Sequence, residues 1–195
     1  MKRFLKYLSR FFLLLIVAFV IFFFWASSPT LELSEYQSMI ANETKSTQKN
    51  DSIFSIVTYN IGYLSGMTNN LAVESPKEFF DVNMAKVVSE IKKVKPDIMA
   101  FQEIDFDASR SYNVNQEEEI SKLGFNYRAQ TINWDERYLP FPYWPISMHY
   151  GKVVSGQSII SKYPLKEQQR IVLQRVADAP FYRDAFYLER LAQVV

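Results

Sequence analysis

Cysteine is absent from the 195-residue chain and histidine occurs once. Without cysteine there is no disulfide scaffold, no thiolate zinc or iron–sulfur site and no thiol nucleophile. A single histidine excludes a three-histidine metal centre, so any histidine-dependent step would rest on His149. Five glycines and eight prolines are too few for a collagen-like or low-complexity chain. Charge of one sign is lacking as well: 22 Lys and Arg stand against 21 Asp and Glu, a net charge of +1. Apolar surface is what the chain has in quantity. Hydrophobic residues make up 48% and aromatics 16%, enough for a buried core and too much for a disordered protein.

Much of that apolar content is concentrated at the N-terminus. Residues 1–10 carry Lys2, Arg3, Lys6 and Arg10 with no acid, and Phe11 to Ala26 is then unbroken apolar sequence. No charge occurs between Phe11 and Leu31, a run that as a helix rises about 32 Å, close to the hydrocarbon thickness of a bilayer. Ala26-Ser27-Ser28 has the small residues of a signal-peptide cleavage site. The apolar block exceeds a usual signal h-region, however, and Pro29 follows at once, which favours an uncleaved signal anchor over 11–28. The basic flank then stays cytoplasmic, and the rest of the chain is expected on the extracytoplasmic side of the membrane. Residues 29–52 read as a polar linker, with a glycosylation sequon at Asn42-Glu43-Thr44. Beyond the anchor, 18 basic groups face 21 acidic ones, a poor balance for binding nucleic acid through its backbone.

The globular part is expected over 53–195. Ile53 to Asn60 is β-branched and aromatic and reads as a buried strand ended by turn chemistry at Asn60-Ile61-Gly62. Residues 63–80 read as a loop. Asp81 is a candidate cap for a helix with Met84, Val87, Val88 and Ile91 on one face, ended by Pro96. A second apolar strand, Asp97 to Phe101, delivers Gln102 and Glu103 at its C-terminal end. Asn115 with Glu118 resembles a capping box for a short helix closed by Gly124. Strands are expected over 124–131, 156–161, 168–173 and 186–195, and 132–150 reads as a long aromatic, proline-rich loop. The order of elements indicates an α/β sandwich with helices outside.

Three segments carry a resemblance. Thr58-Tyr59-Asn60 is a strand ending in Asn. Lys95-Pro96-Asp97-Ile98-Met99-Ala100-Phe101-Gln102-Glu103 is a strand delivering Gln-Glu. Gly156-Gln157-Ser158-Ile159-Ile160-Ser161-Lys162-Tyr163-Pro164 is a small-residue strand stopped by Tyr-Pro. In this order and spacing they resemble the endonuclease/exonuclease/phosphatase family, whose fold is the four-layered α/β sandwich of deoxyribonuclease I. The resemblance covers about 53–195. It implies a metal-dependent hydrolase of phosphate esters, with Glu103 as the Mg²⁺ (or Mn²⁺) carboxylate and Asn60 helping to hold metal or phosphate. Mg²⁺ takes hard oxygen ligands and commonly one or two carboxylates, so those residue types suit the role. Read without the resemblance, Asn60 is equally a plain turn residue and Glu103 a solvated strand end.

The sequence also departs from the pattern. The family's Asn-x-His, Gly-Asp-x-Asn and Ser-Asp-His motifs, which activate water and clamp the phosphate, have no counterpart. On sequence alone the chain reads as an incomplete domain, the N-terminal part of a longer one, and by itself is expected to be close to catalytically silent. Asp105 stands where nucleases of the family often have a basic residue. That, with the charge balance and the tether, favours a phosphodiester or phosphomonoester outside nucleic acids, lipid-like ones included. The alternatives are a secreted nuclease and an inactive truncated binding protein. His149 is assigned to loop structure or substrate contact rather than to general base, because the family's catalytic histidines lie elsewhere. The aromatic loop is read as packing, as a membrane-interface contact or as a base-stacking platform.

Overall fold

The computed structural model describes residues 1–42, 53–68 and 71–195. Helix α1 (Lys2–Ala26) contains neither glycine nor proline and is long and apolar enough to cross a bilayer. Ala26 is its one buried residue, at the end nearest the globular part. After a 3-10 turn at Leu33–Tyr36, strand β1 (Gln37–Ala41) follows within the segment read as a polar linker. It pairs antiparallel with strand β4 (Tyr127–Leu139), and its residues alternate between exposed and half-buried. Part of the linker is therefore an edge strand of the sheet. The sequon reaches into residues that lie outside the described ones.

Strand β2 (Ile56–Asn60) runs parallel to strand β3 (Ile98–Asp105), and β3 runs antiparallel to strand β5 (Gly151–Ser161). The five-stranded sheet has the order β1-β4-β5-β3-β2. The expectation of a strand buried on both faces fails for β2. It is an edge strand, and Ile56 is 68% exposed while Val57 packs on the core.

Helix α2 (Lys77–Val94) starts after Pro76 and ends where Lys95 turns left-handed ahead of Pro96. Asp81 is thus an interior residue, paired with Lys77 one turn earlier, not the cap. Pro76 starts the helix instead, because its fixed φ suits a helix entrance. Phe80 and Ile91 of α2 join Met99, Phe101, Phe125 and Ile160 in the hydrophobic core, as does Ile120 of helix α3 (Gln116–Ser121). Asn115 caps α3 as expected, its side chain accepting from the Glu118 amide at 2.9 Å.

Strands β6 (Gln169–Val172) and β7 (Leu191–Val194) form a separate antiparallel pair, with the short helix α4 (Phe181–Asp184) between them. This pair is tied to the large sheet by side-chain amides and guanidinium groups. Gln193 donates to the Ala129 carbonyl, Gln157 to that of Leu191, and Arg170 to that of Ile132. The register places Ala129, Thr131 and Gln157 on the face opposite Arg128, Gln130 and Ser158, which contact Glu117 of α3. Helices thus cover one face of the sheet and a second sheet the other, a mixed α/β layering.

The central strands bend at one level. Gly156 of β5 lies opposite both Ile104 of β3 and Ile132 of β4, and each neighbour has a bulge beside that position. A Cβ on Gly156 would lie 1.9 Å from the Thr131 carbonyl oxygen, so the close approach admits only glycine.

Candidate functional site

The C-terminal ends of β2, β3 and β4 lie at one end of the sheet, the usual place for a ligand in an α/β fold. At that end is a cavity of about 810 Å³. Its polar lining includes Glu103, Arg110, Tyr63, Trp134 and Tyr150.

Glu103 sits in the β3 bulge with φ 52, a left-handed conformation that costs a non-glycine residue energy. A bulge breaks the alternation of the strand and re-aims one side chain, and here the result is a half-buried carboxylate on the cavity wall. The turn after β2 is similarly forced, with Gly62, Tyr63 and Leu64 all at positive φ. Gln116 of α3 fixes these two backbones to each other. Its amide donates to the Tyr63 carbonyl at 3.0 Å, and its oxygen accepts from the Asp105 amide at 3.1 Å.

Arg110 is the feature that sequence reasoning missed. Its Nε and Nη2 donate to the two oxygens of fully buried Asp105 at 3.1 and 2.8 Å. Three aromatic rings enclose the guanidinium: Tyr63, Tyr150 and Trp134, at 3.5, 4.9 and 5.2 Å from Cζ to ring centroid. Burial opposes its charge, but the Asp105 carboxylate and its hydrogen bonds outweigh burial and hold the guanidinium above its ordinary pKa. Nη1 is buried and donates to no group among the described residues. Burial pushes the Tyr63 phenol up to about 12, with Glu103 and Asp105 adding to the effect against Arg110, so it remains a proton donor. Asp105 is therefore the counter-ion of a caged arginine. The pair is hard to see in sequence, since the short turn at Ser109–Ser111 is what folds Arg110 back.

The structure places the sequence candidates unequally. Asn60 and Glu103 share the same end of adjacent parallel strands, and Asn60 pairs in register with Gln102. Asn60 Oδ1 accepts from the Gly62 amide at 2.9 Å, the plain turn role, and Asn60 does not line the large cavity. His149 also lies apart from it. Its Nδ1 is 2.8 Å from the Tyr138 hydroxyl, and it borders a smaller cavity of about 280 Å³ behind Tyr63, Arg110 and Tyr150. The aromatic loop is shorter than expected. β4 continues to Leu139, so Trp134 and Tyr138 are strand residues and the loop spans 140–150.

Among the described residues no three Asp, Glu or His side chains converge as a ready metal cage. A single hard carboxylate beside a partly spent arginine nonetheless suits Mg²⁺, which keeps several waters and completes its shell with substrate phosphate.

A mixed sheet with helices on one face and a second sheet on the other, with a strand-end carboxylate at a cavity, defines a layered α/β protein with a candidate ligand site. The sequence profile of the Endonuclease/Exonuclease/phosphatase family matches residues 57–192, and the chain belongs to that family. Among solved structures it is similar to an endonuclease/exonuclease/phosphatase family protein from Leptotrichia buccalis C-1013-b, at 17% identity and a TM-score of 0.34. That match covers 62% of this chain and 42% of the other. The chain thus spans less than half the length of that solved relative. No curated protein matches the chain.

Proposed function

We propose that the chain belongs to a membrane-tethered, extracytoplasmic phosphoester hydrolase that uses Mg²⁺ and acts on substrates other than nucleic acid. The observation that carries this reading is Glu103, held by a strained bulge on the wall of the large cavity in a chain of this family. Glu103 would hold the metal, which when bound neutralises charge on the phosphate. Arg110, fixed by Asp105 and the aromatic cage, adds positive potential on the same wall. Asn60 would serve the site by shaping the turn that presents Tyr63. Helix α1 supports the tether, and the basic residues at its start support a cytoplasmic N-terminus.

The test is a Mn²⁺ titration of the full chain in detergent, read by electron paramagnetic resonance, for wild type and Glu103→Gln. The substitution keeps shape and removes charge. It should weaken Mn²⁺ binding markedly, since a charged oxygen ligand is lost, with an unchanged thermal melt. Equal affinities would remove Glu103 from the metal site.

A further inference from the structure

Helix α1 is not a free tether. Asp135 of β4 accepts from the Thr30 amide and hydroxyl at 2.9 and 2.6 Å, from the Leu31 amide at 2.9 Å and from the Tyr36 hydroxyl at 3.2 Å. The Arg137 amide donates to the Ser28 carbonyl, and its Nε to that of Pro29. Inside the helix, Phe22 packs on Tyr138, and Phe23 packs on Phe181 and Phe186. The helix exit is thus clamped to the domain by polar groups and its last turns by aromatic rings.

This clamp puts the helix into the wall of the cavity. Phe19, Phe22 and Phe23 share one helical face and line the large cavity together with Leu139, Phe141 and Leu188. The same cavity is also lined by Glu103 and Arg110. The cavity therefore combines an apolar wall supplied by the helix with charged groups, Glu103, Arg110, Arg183 and Arg190, from the rest of the chain.

Depth follows from helix geometry. From Phe11, just past Arg10, to Ala26 the helix rises about 24 Å, short of the roughly 30 Å of bilayer hydrocarbon. Phe19 lies about 10 Å below Ala26 along the axis. With Arg10 at one membrane surface, Phe19 lies near the bilayer midplane and Phe22 and Phe23 lie at the level of the acyl chains of the opposite leaflet. Tyr143 and Tyr182 at the cavity and Phe181 beside Phe23 are exposed aromatic residues, a type enriched at membrane surfaces. Arg183 and Arg190 line the cavity among them.

Resting on the reading above, we infer that the cavity takes a phospholipid from the bilayer, its phosphoester toward Glu103 and Arg110 and its acyl chain along the α1 phenylalanines. The substrate class is then an acyl-chain-bearing phosphoester, and α1 is part of its binding site.

Trp134 reports on this directly, because it lines the cavity and the only other tryptophans are Trp25 and Trp144. The full chain carrying Trp25→Phe and Trp144→Phe is reconstituted into phosphatidylcholine vesicles with plain or brominated acyl chains. Most of the Trp134 emission should be lost in the brominated vesicles. Leu188→Asp, which puts a charge into the acyl part of the cavity, should restore it, whereas Phe24→Leu, off the cavity, should not. Soluble glycerophosphocholine should leave the quenching intact. Equal emission in plain and brominated vesicles overturns the lipid site, as does quenching that Leu188→Asp leaves untouched with the near-ultraviolet dichroism unchanged. The measurement needs neither metal nor turnover. Quenching without Glu103-dependent Mn²⁺ binding keeps the lipid site and removes the hydrolase reading, and the reverse result removes the lipid site alone.

Discussion

At the scale of single residues, charge in this molecule is placed where burial makes it costly, and each case has its own resolution. Asp105 and Arg110 compensate each other. Glu136 has no such partner. It is 5% exposed, its Oε2 accepts no hydrogen bond among the described residues, and burial, reinforced by Asp135, pushes its pKa up to about 9. The group is neutral in the folded chain at pH 7 and ionised in the unfolded one. Its folded pKa is raised, so this group's contribution to stability is full below about pH 4.5 and is lost as pH climbs toward 9. Glu136→Gln removes that slope. Denaturant titrations should show the variant gaining on wild type from pH 5 to pH 8, by on the order of 2–3 kcal/mol near neutrality. The candidate site was half legible at this scale. Glu103 was legible through the family resemblance, but its left-handed backbone, which arises from a register shift between two strands distant in sequence, left no signal. Arg110 gave no signal, because its meaning lies in a buried partner and three rings brought from other elements.

At the scale of elements, strongly apolar or well-punctuated segments were readable and half-exposed ones were not. α2 and β3 follow from periodicity and from Pro96, and α3 from its Asn115 cap. β1 hides in a polar stretch because an edge strand needs little apolar surface, and Gln37 and Ser38 pass for linker. The far half of β4 hides for the opposite reason, as Trp134 and Tyr138 merge with the aromatic, proline-rich loop behind them. Gly156 is the element-scale device that matters most for the site, since it lets β4 close on β5 beside the bulge that aims Glu103. Gly156→Ala should cost about 3 kcal/mol or more, as overpacking against a backbone atom that cannot step aside. Chemical denaturation of the variant checks this, and a loss below about 1 kcal/mol would mean that the strands part easily.

At the scale of the whole molecule, one carboxylate sets how the domain sits on its helix. Asp135→Ala removes the acceptor for Thr30, Leu31 and Tyr36 at once. Hydrogen bonds to a charged group contribute about 1.5–3 kcal/mol each, so the clamp should open while the sheet persists. Because the chain has no native cysteine, spin labels can be placed at Leu14→Cys and Glu167→Cys without further change. Pulsed dipolar spectroscopy should give a narrow distance distribution with Asp135 present and a broad one with alanine. Equally narrow distributions would assign the orientation to the phenylalanine contacts instead.

The clamped helix also sets the dimensionality of the encounter. In the proposed lipid site, a cavity walled by its own membrane helix would meet its ligand by lateral diffusion within one leaflet. Its occupancy is then governed by how many neighbours in the plane are of the right kind. Diluting the bilayer with an inert lipid empties the cavity, while diluting the vesicles in buffer does not.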